Sequence, residues 1–587
     1  MKLKALSLTA AAVSAAALVA ACGGGGGDGG GTAVTPAQAS LQLSGVAATG
    51  LALAGSPVDV KCASGTGTAT TNASGGYTVT VTDGSLPCIV KVTGLVNGVE
   101  VTLHSLAQAG TTSNSTTTAT ANVTPLTEMI LARAAGTLPS DLFTNFGSGS
   151  AVTSTALTQA STDILSALST AAGVDLTTID PFNTPLVAAT SANPSGGNNY
   201  DRLLDQLGTV VSPATLAQVV SQIASTAGSG APTTLNEVVT NISKGSLAGC
   251  PQALSGKYRI VDYIGASDIV EIDFGAGLLK AADGDHVITP SSQACEFDVA
   301  GSAPTTVMIG PAGAGITRDA ERAGFIFPIQ AHSFTSVQGK WEFLESGVEE
   351  ASFGNTARHW IGEMTIAADG KVTVCDYDVP ANNFSVCAVD TDEAVTLQAN
   401  SDGTFSLQYG SGSSPVYGFR APNGALTLFG TNNPSGSLAA EVLKSSFVLT
   451  RPNTISPAPV GTESKFWDVT QNVVLDSGNN TVLNSGGDPS VATNAVARNS
   501  TVITASTETS ITRKLTSSGS DNGRVDTLTL NNPIPGMRSR PQGVDNSTGS
   551  PIPYAATISR GFQGTGISVA LDNRVDRHFM SYSVTRP

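Results

Sequence analysis

Few residues of this 587-residue chain could carry covalent or acid–base chemistry: seven cysteines, five histidines and some short acidic clusters. The histidines, His104, His286, His332, His359 and His578, share no metal-ligand spacing, and no His-Glu-x-x-His occurs. No Gly-x-Ser-x-Gly elbow presents a serine nucleophile. The members of a Ser-His-Asp triad need only meet in space, so sequence leaves that route to hydrolysis open. Glu342, Glu345, Glu349 and Glu350 cluster beside Trp341, but an acidic run next to a strand reads as a solvated edge rather than a glycosidase pair. Asp283, Asp285 and His286, and separately Asp390, Asp392 and Glu393, group oxygen ligands without the EF-hand spacing. The expectation is no catalytic residue, no metal and no cofactor. The Gly-rich run at 23–31 is a tether, because no strand precedes it and no helix follows.

The cysteines depend on where the chain lives. Lys2 and Lys4 followed by the mostly apolar run 5–18 have the layout of an export signal. Val19-Ala20-Ala21-Cys22 then resembles the lipobox of bacterial lipoproteins. That resemblance implies that Cys22 is lipidated and becomes the new N-terminus. Gly23, where inner-membrane lipoproteins often carry Asp, implies the outer membrane, facing the periplasm or the cell surface. The six other cysteines, Cys62, Cys88, Cys250, Cys295, Cys375 and Cys387, are an even set in an exported chain and read as three disulfides. Their connectivity stays open; sequence proximity favours Cys62–Cys88, Cys250–Cys295 and Cys375–Cys387. A metal site is disfavoured because no Cys-x-x-Cys exists.

The net charge of −16 is spread over a chain with only 13% charged residues, without a basic stripe. Phosphate-backbone binding needs a concentrated cationic face, so nucleic acid is excluded as a partner.

Residues 39–122 alternate apolar and polar, as in Tyr77-Thr78-Val79-Thr80-Val81, which predicts half-buried strands. Gly45-Val46, Gly50, Gly55-Ser56-Pro57-Val58-Asp59-Val60 and Asn72-Ala73-Ser74-Gly75-Gly76-Tyr77 resemble the carboxypeptidase-regulatory-like β-sandwich. The resemblance implies an Ig-like sandwich acting as a non-catalytic spacer or binding module. At 123–248 the period changes to helical. Thr124-Pro125 and Ser212-Pro213 read as helix starts, and Thr234 with Glu237 as a capping box, giving a bundle of roughly five helices.

Beyond residue 250 the chain turns β again, with Asp-Gly and Asn-Gly turns at 283–284, 369–370, 402–403 and 423–424. A small residue, a lysine and an aromatic open three runs, at Gly256-Lys257-Tyr258, Gly339-Lys340-Trp341 and Ser464-Lys465-Phe466-Trp467. The last two close alike, on Thr450-Arg451-Pro452 and Thr585-Arg586-Pro587, which predicts a repeated module at 250–337, 338–452 and 462–587. An aromatic in the first strand with an arginine in the last resembles lipocalin-like barrels. That resemblance implies closure by Trp341 with Arg451 and by Trp467 (or Phe466) with Arg586, around a cup for an apolar ligand.

The expected architecture is multidomain and mainly β: leader 1–21, tether 22–38, a β-sandwich, a small helical bundle, then repeated antiparallel β-meander or barrel-like modules. The expected function is a lipid-anchored envelope protein that binds or scaffolds, with a glycan, a protein or an apolar small molecule as partner. The alternatives are a carrier of an apolar small molecule in a barrel cavity, and an envelope hydrolase with its site between modules.

Overall fold

The computed structural model describes residues 40–587 except 97–98, 148–151, 228–232, 263–266, 302–304, 320–322, 352–353, 380–382, 390–393, 410–411, 433–442, 476–480, 484–495, 518–522, 546–550, 555 and 573–577. The leader, Cys22, the tether and the acidic group Asp390, Asp392 and Glu393 therefore lie outside the described residues.

The N-terminal part is two packed four-stranded sheets. One holds Gly76–Thr82, Ser40–Val46, Thr116–Thr120 and Thr111–Ser113; the other holds Thr66–Thr70, Pro57–Ser64, Ser85–Val96 and Val99–Ala107. Strict alternation sends Tyr77, Val79 and Val81 into the core and Thr78 and Thr80 to the exposed side. The turn before Tyr77 works through Asn72, whose Oδ1 accepts from the backbone N–H groups of Ser74 and Gly76, both at 2.9 Å. Gly75 takes φ +77° there. Cys62 and Cys88 are register partners on neighbouring strands and are joined.

Helix Pro125–Ala135 starts on an N-cap at Thr124 and is buried along most of its length. Its Glu128 accepts from the His104 backbone N–H at 2.5 Å and faces the imidazole Nδ1 at 2.9 Å, fastening helix to sandwich. Helices Ser154–Ala172, Asn199–Gly208, Pro213–Ala224 and Leu235–Ser243 pack their apolar stripes around it. Thr234 and Glu237 form the capping box, and the backbone hydrogen bond from Thr234 leads in holding the Glu237 carboxyl below its usual range. A further helix, Pro139–Thr144, is too short to show a period in sequence.

Three closed antiparallel barrels follow. The first is an eight-stranded meander, from Gly256–Asp262 to Ala323–Pro328, whose end strands pair. The second runs from Gly339–Ala351 to Leu443–Thr450, which also pair; Asn383–Val389 is a side strand joined through Cys375–Cys387. The third runs from Glu463–Leu475 to His578–Thr585, again paired, with Thr481–Leu483 as a side strand. Cys250–Cys295 ties the hairpin before the first barrel to that barrel.

The first two barrels are filled with apolar side chains. Trp341, Phe343, Met364, Leu397, Phe405, Leu428 and Leu449 form the core of the second. Where the barrels meet, their outer faces share a second core: Phe325 and Phe327, Phe419 and Phe429, and Phe562 and Tyr582 contribute from the three barrels in turn, with ring centroids as close as 4.5 Å. Arg560 and Glu342 form an ion pair between the third and second barrels, with side chains 0% and 5% exposed.

Candidate functional site in the third barrel

Both repeats that end in Thr-Arg-Pro place the Thr as the last residue of a closing strand and the Arg just past it, but in opposite phase. In the second barrel Phe447, Leu449 and Arg451 take the inward phase. Arg451 lies 3.8 Å over the Trp341 ring and donates to the carbonyls of Lys340 and Ser336 at 3.1 and 2.9 Å. Gly339, at φ +100°, leaves the room: a Cβ there would stand 3.1 Å from the guanidinium. Burial pushes Arg451 down to about 10, with Arg420 adding to the effect.

In the third barrel the corresponding Tyr582 and Val584 face outward into the shared core, so Arg586 is turned outward too. It donates to the Asn499 carbonyl and Ser500 Oγ, both at 3.2 Å, and not to a ring. Trp467 also faces out, donating to Glu296 of the first barrel at 2.7 Å. The expected Trp467–Arg586 closure pair therefore does not form. Side chains alternate with a period of two, so a shift of one residue exchanges the two faces of every strand. Phe466, not Trp467, takes the inward place, with Arg513 at 5.9 Å.

The consequence is a charged lumen. Asp526, 0% exposed, is met by Arg513 at 3.3 Å, Arg524 at 3.3 Å and Arg540 at 3.6 Å. Burial opposes ionisation of Asp526, but Arg524, Arg540 and Arg513 outweigh it and hold the carboxyl below its usual range. Asp468 accepts from Ser583 and Asn499, and burial pushes its carboxyl up. Below this layer Ile503, Ile511, Leu528 and Leu530 close the lumen against Ile455 and Ala458 of the inter-barrel segment. Beside that floor opens a cavity of about 390 Å³, lined among others by Asn453, Thr454, Ile455, Arg538, Ser568 and Thr585. The Arg538 Nε is buried without a hydrogen-bond partner, and burial, then Arg513, holds this guanidinium below its usual range.

Other sites offer less. A cavity of about 560 Å³ lies between helices Pro125–Ala135 and Ser154–Ala172 and the second barrel. Its charges are used internally: Arg133 pairs with Asp163 at 3.3 Å, and Asp402 accepts from Thr404 at 3.0 and 2.6 Å. His332 lines it, but burial, helped by Arg420, brings the imidazole down to about 3, which leaves it neutral. Ser346 Oγ and His359 Nδ1 are 2.8 Å apart, a serine–histidine contact. Both side chains are buried between strands, and none of the described cavities reaches either. Glu363, Cys375 and Cys387 lie together, but the two sulfurs are joined as a disulfide and offer no thiolate. Asp283 and His286 pair with each other at the surface, 2.9 Å apart.

No family model and no curated protein matches the chain. Among solved structures, transferrin binding protein B from Haemophilus parasuis overlaps at 10% identity over 55% of this chain and 65% of that one, with a TM-score of 0.18. The same protein from serogroup B Neisseria meningitidis gives 9%, 55%, 66% and 0.17. A protein of unknown function of the DUF3598 family from Nostoc punctiforme gives 10%, 43%, 97% and 0.13. The chain thus spans about two thirds of transferrin binding protein B. At these TM-scores the likeness carries no argument about function.

Proposed function

We propose that the protein is a non-catalytic binding protein or carrier of the bacterial cell envelope, tethered by a lipid at Cys22, which holds a small ligand in the lumen and mouth of its third barrel. The observation that carries this reading is the cavity of about 390 Å³ at Arg538, within the range of about 300–1,000 Å³ common for small-molecule sites. The cup implied by the lipocalin-like pattern is apolar and centred on Trp341; the proposed site lies one barrel along and has a charged lining. Three disulfides suit an oxidising compartment such as the periplasm or cell surface. The segments 39–122, 123–248, 250–337, 338–452 and 462–587 are proposed as the units of construction.

Anchoring is tested by fractionation. Wild-type protein is expected in the outer-membrane fraction, and the Cys22→Ala protein in the soluble one. A Cys22→Ala chain that stays with the membrane would overturn the lipid anchor.

A further inference from the structure

We propose that the mouth of the third barrel is an oxyanion site, taking a carboxylate or phosphate group of a small molecule directly on Arg538. The inference rests on the cavity reading above and adds the chemistry of the ligand.

Other arginines at the barrel contacts have carboxylate partners. Arg560 pairs with Glu342, Arg498 with Glu296, and Arg420 with Asp141. Arg513, Arg524 and Arg540 share Asp526. Arg538 stands on the inward phase beside Leu530 and Ser559; its Nε is buried without a hydrogen-bond partner, and, unlike these arginines, it forms no ion pair with a carboxylate among the described residues. Arg538 is half-buried, with its Nε cut off from water, so its charge is only partly solvated and an incoming anion restores what the wall withholds. The guanidinium fork presents paired donors that match carboxylate and phosphate oxygens. Ser568 adds a hydroxyl on the same wall. Arg513 lies close enough to be felt by Arg538, so the potential there is positive inside a chain of net charge −16. A neutral or apolar ligand would leave Arg538 as it is, and a cation would be repelled.

The test uses the full Cys22→Ala chain in oxyanion-free buffer, with ionic strength held constant by KCl. Inorganic phosphate, glycerol 3-phosphate and citrate are titrated while the melting temperature is followed. The expected result is a saturable rise for wild type. Arg538→Met is expected to melt higher than wild type without oxyanion, because it deletes a half-buried charge that has no carboxylate partner, and to bind oxyanion at least about tenfold more weakly. Arg538→Lys keeps the charge but not the fork and should weaken binding about tenfold. Arg202→Gln, on an exposed helix face, should respond like wild type. Competition by phosphatidylglycerol but not phosphatidylcholine vesicles would make the source a lipid headgroup; competition by glycerol 3-phosphate alone would make it soluble. The proposal fails if wild type shows no saturable rise, if Arg538→Met responds equally, or if Arg538→Met melts lower than wild type or does not fold. A rise with glucose or decanol and none with oxyanions keeps the cavity and removes the anion. No rise with either class removes both.

Discussion

The ion pair between Glu342 and Arg560 joins the second and third barrels, and its two halves should not be equivalent. Both side chains are essentially out of water, at 5% and 0% exposure. Burial raises the Glu342 carboxyl despite Arg560 beside it, and lowers the Arg560 guanidinium despite Glu342. Desolvation therefore outweighs attraction on both sides, the regime in which breaking a pair costs about 3–5 kcal/mol while replacing both partners is close to neutral. Glu342→Gln strands a guanidinium that cannot discharge, although Arg560 keeps bonds to the Arg451 carbonyl at 3.2 Å and Asn453 Oδ1 at 3.1 Å. Arg560→Met strands a carboxyl that can take up a proton. We expect Glu342→Gln to cost about 3–5 kcal/mol, or about 6–20 °C in the transition of these barrels. Arg560→Met should cost less, and the double variant less than the two single costs summed. The pH dependence separates them. A carboxyl raised in the folded state contributes stability that is complete below its unfolded pKa and lost as pH rises through the folded one. Arg560→Met should thus recover stability as pH falls from neutral towards 4.5, the ordinary value for Glu342, and Glu342→Gln should show no such recovery. Calorimetry and denaturant titration at several pH values read this directly. Equal costs and equal pH dependence, or a double variant as damaged as the sum, would refute the reasoning.

Two further outcomes concern the barrels themselves. Asp526→Asn removes the carboxylate that balances Arg513, Arg524 and Arg540, and should destabilise the third barrel by about 3–5 kcal/mol in urea titration. Because the Asp526 pKa is depressed, its contribution is present above the ordinary 3.8 and lost as pH falls through the lower folded value, so the variant's deficit should shrink in acid. Arg451→Met, which removes the cation stacked on Trp341 and two bonds to carbonyls, should cost about 1–3 kcal/mol; no change in the urea midpoint would mean that the stack closes nothing.

Much of the β architecture could be read from residue pattern, because turns and alternation are local. The Asp-Gly turns lie between paired strands, and the small-Lys-aromatic starts fall on strands that open barrels at Gly256, Gly339 and Glu463. The short helix Pro139–Thr144 escaped because six residues show no period. The site escaped for a deeper reason. Alternation says that two faces differ, not which one is the lumen. Tyr582, Val584 and Trp467 look like an interior set, yet their face is buried against neighbouring barrels. Arg513, Asp526, Arg538 and Arg540 then read as a solvated exterior when they line the inside. The usable signal was their shared phase: four charges on three adjacent strands, all out of step with the outward apolar set.

The aromatic contact among the three barrels also bears on how such a protein changes over time. A lone barrel must keep an oily interior to stay folded, so its lumen is under structural constraint. Here the outer apolar face of the third barrel is already stabilised by Phe325, Phe429 and their neighbours. A barrel held in this way is released from that duty. Its inside becomes tolerant ground, where charge can be introduced and recognition altered while the fold is maintained from the outside.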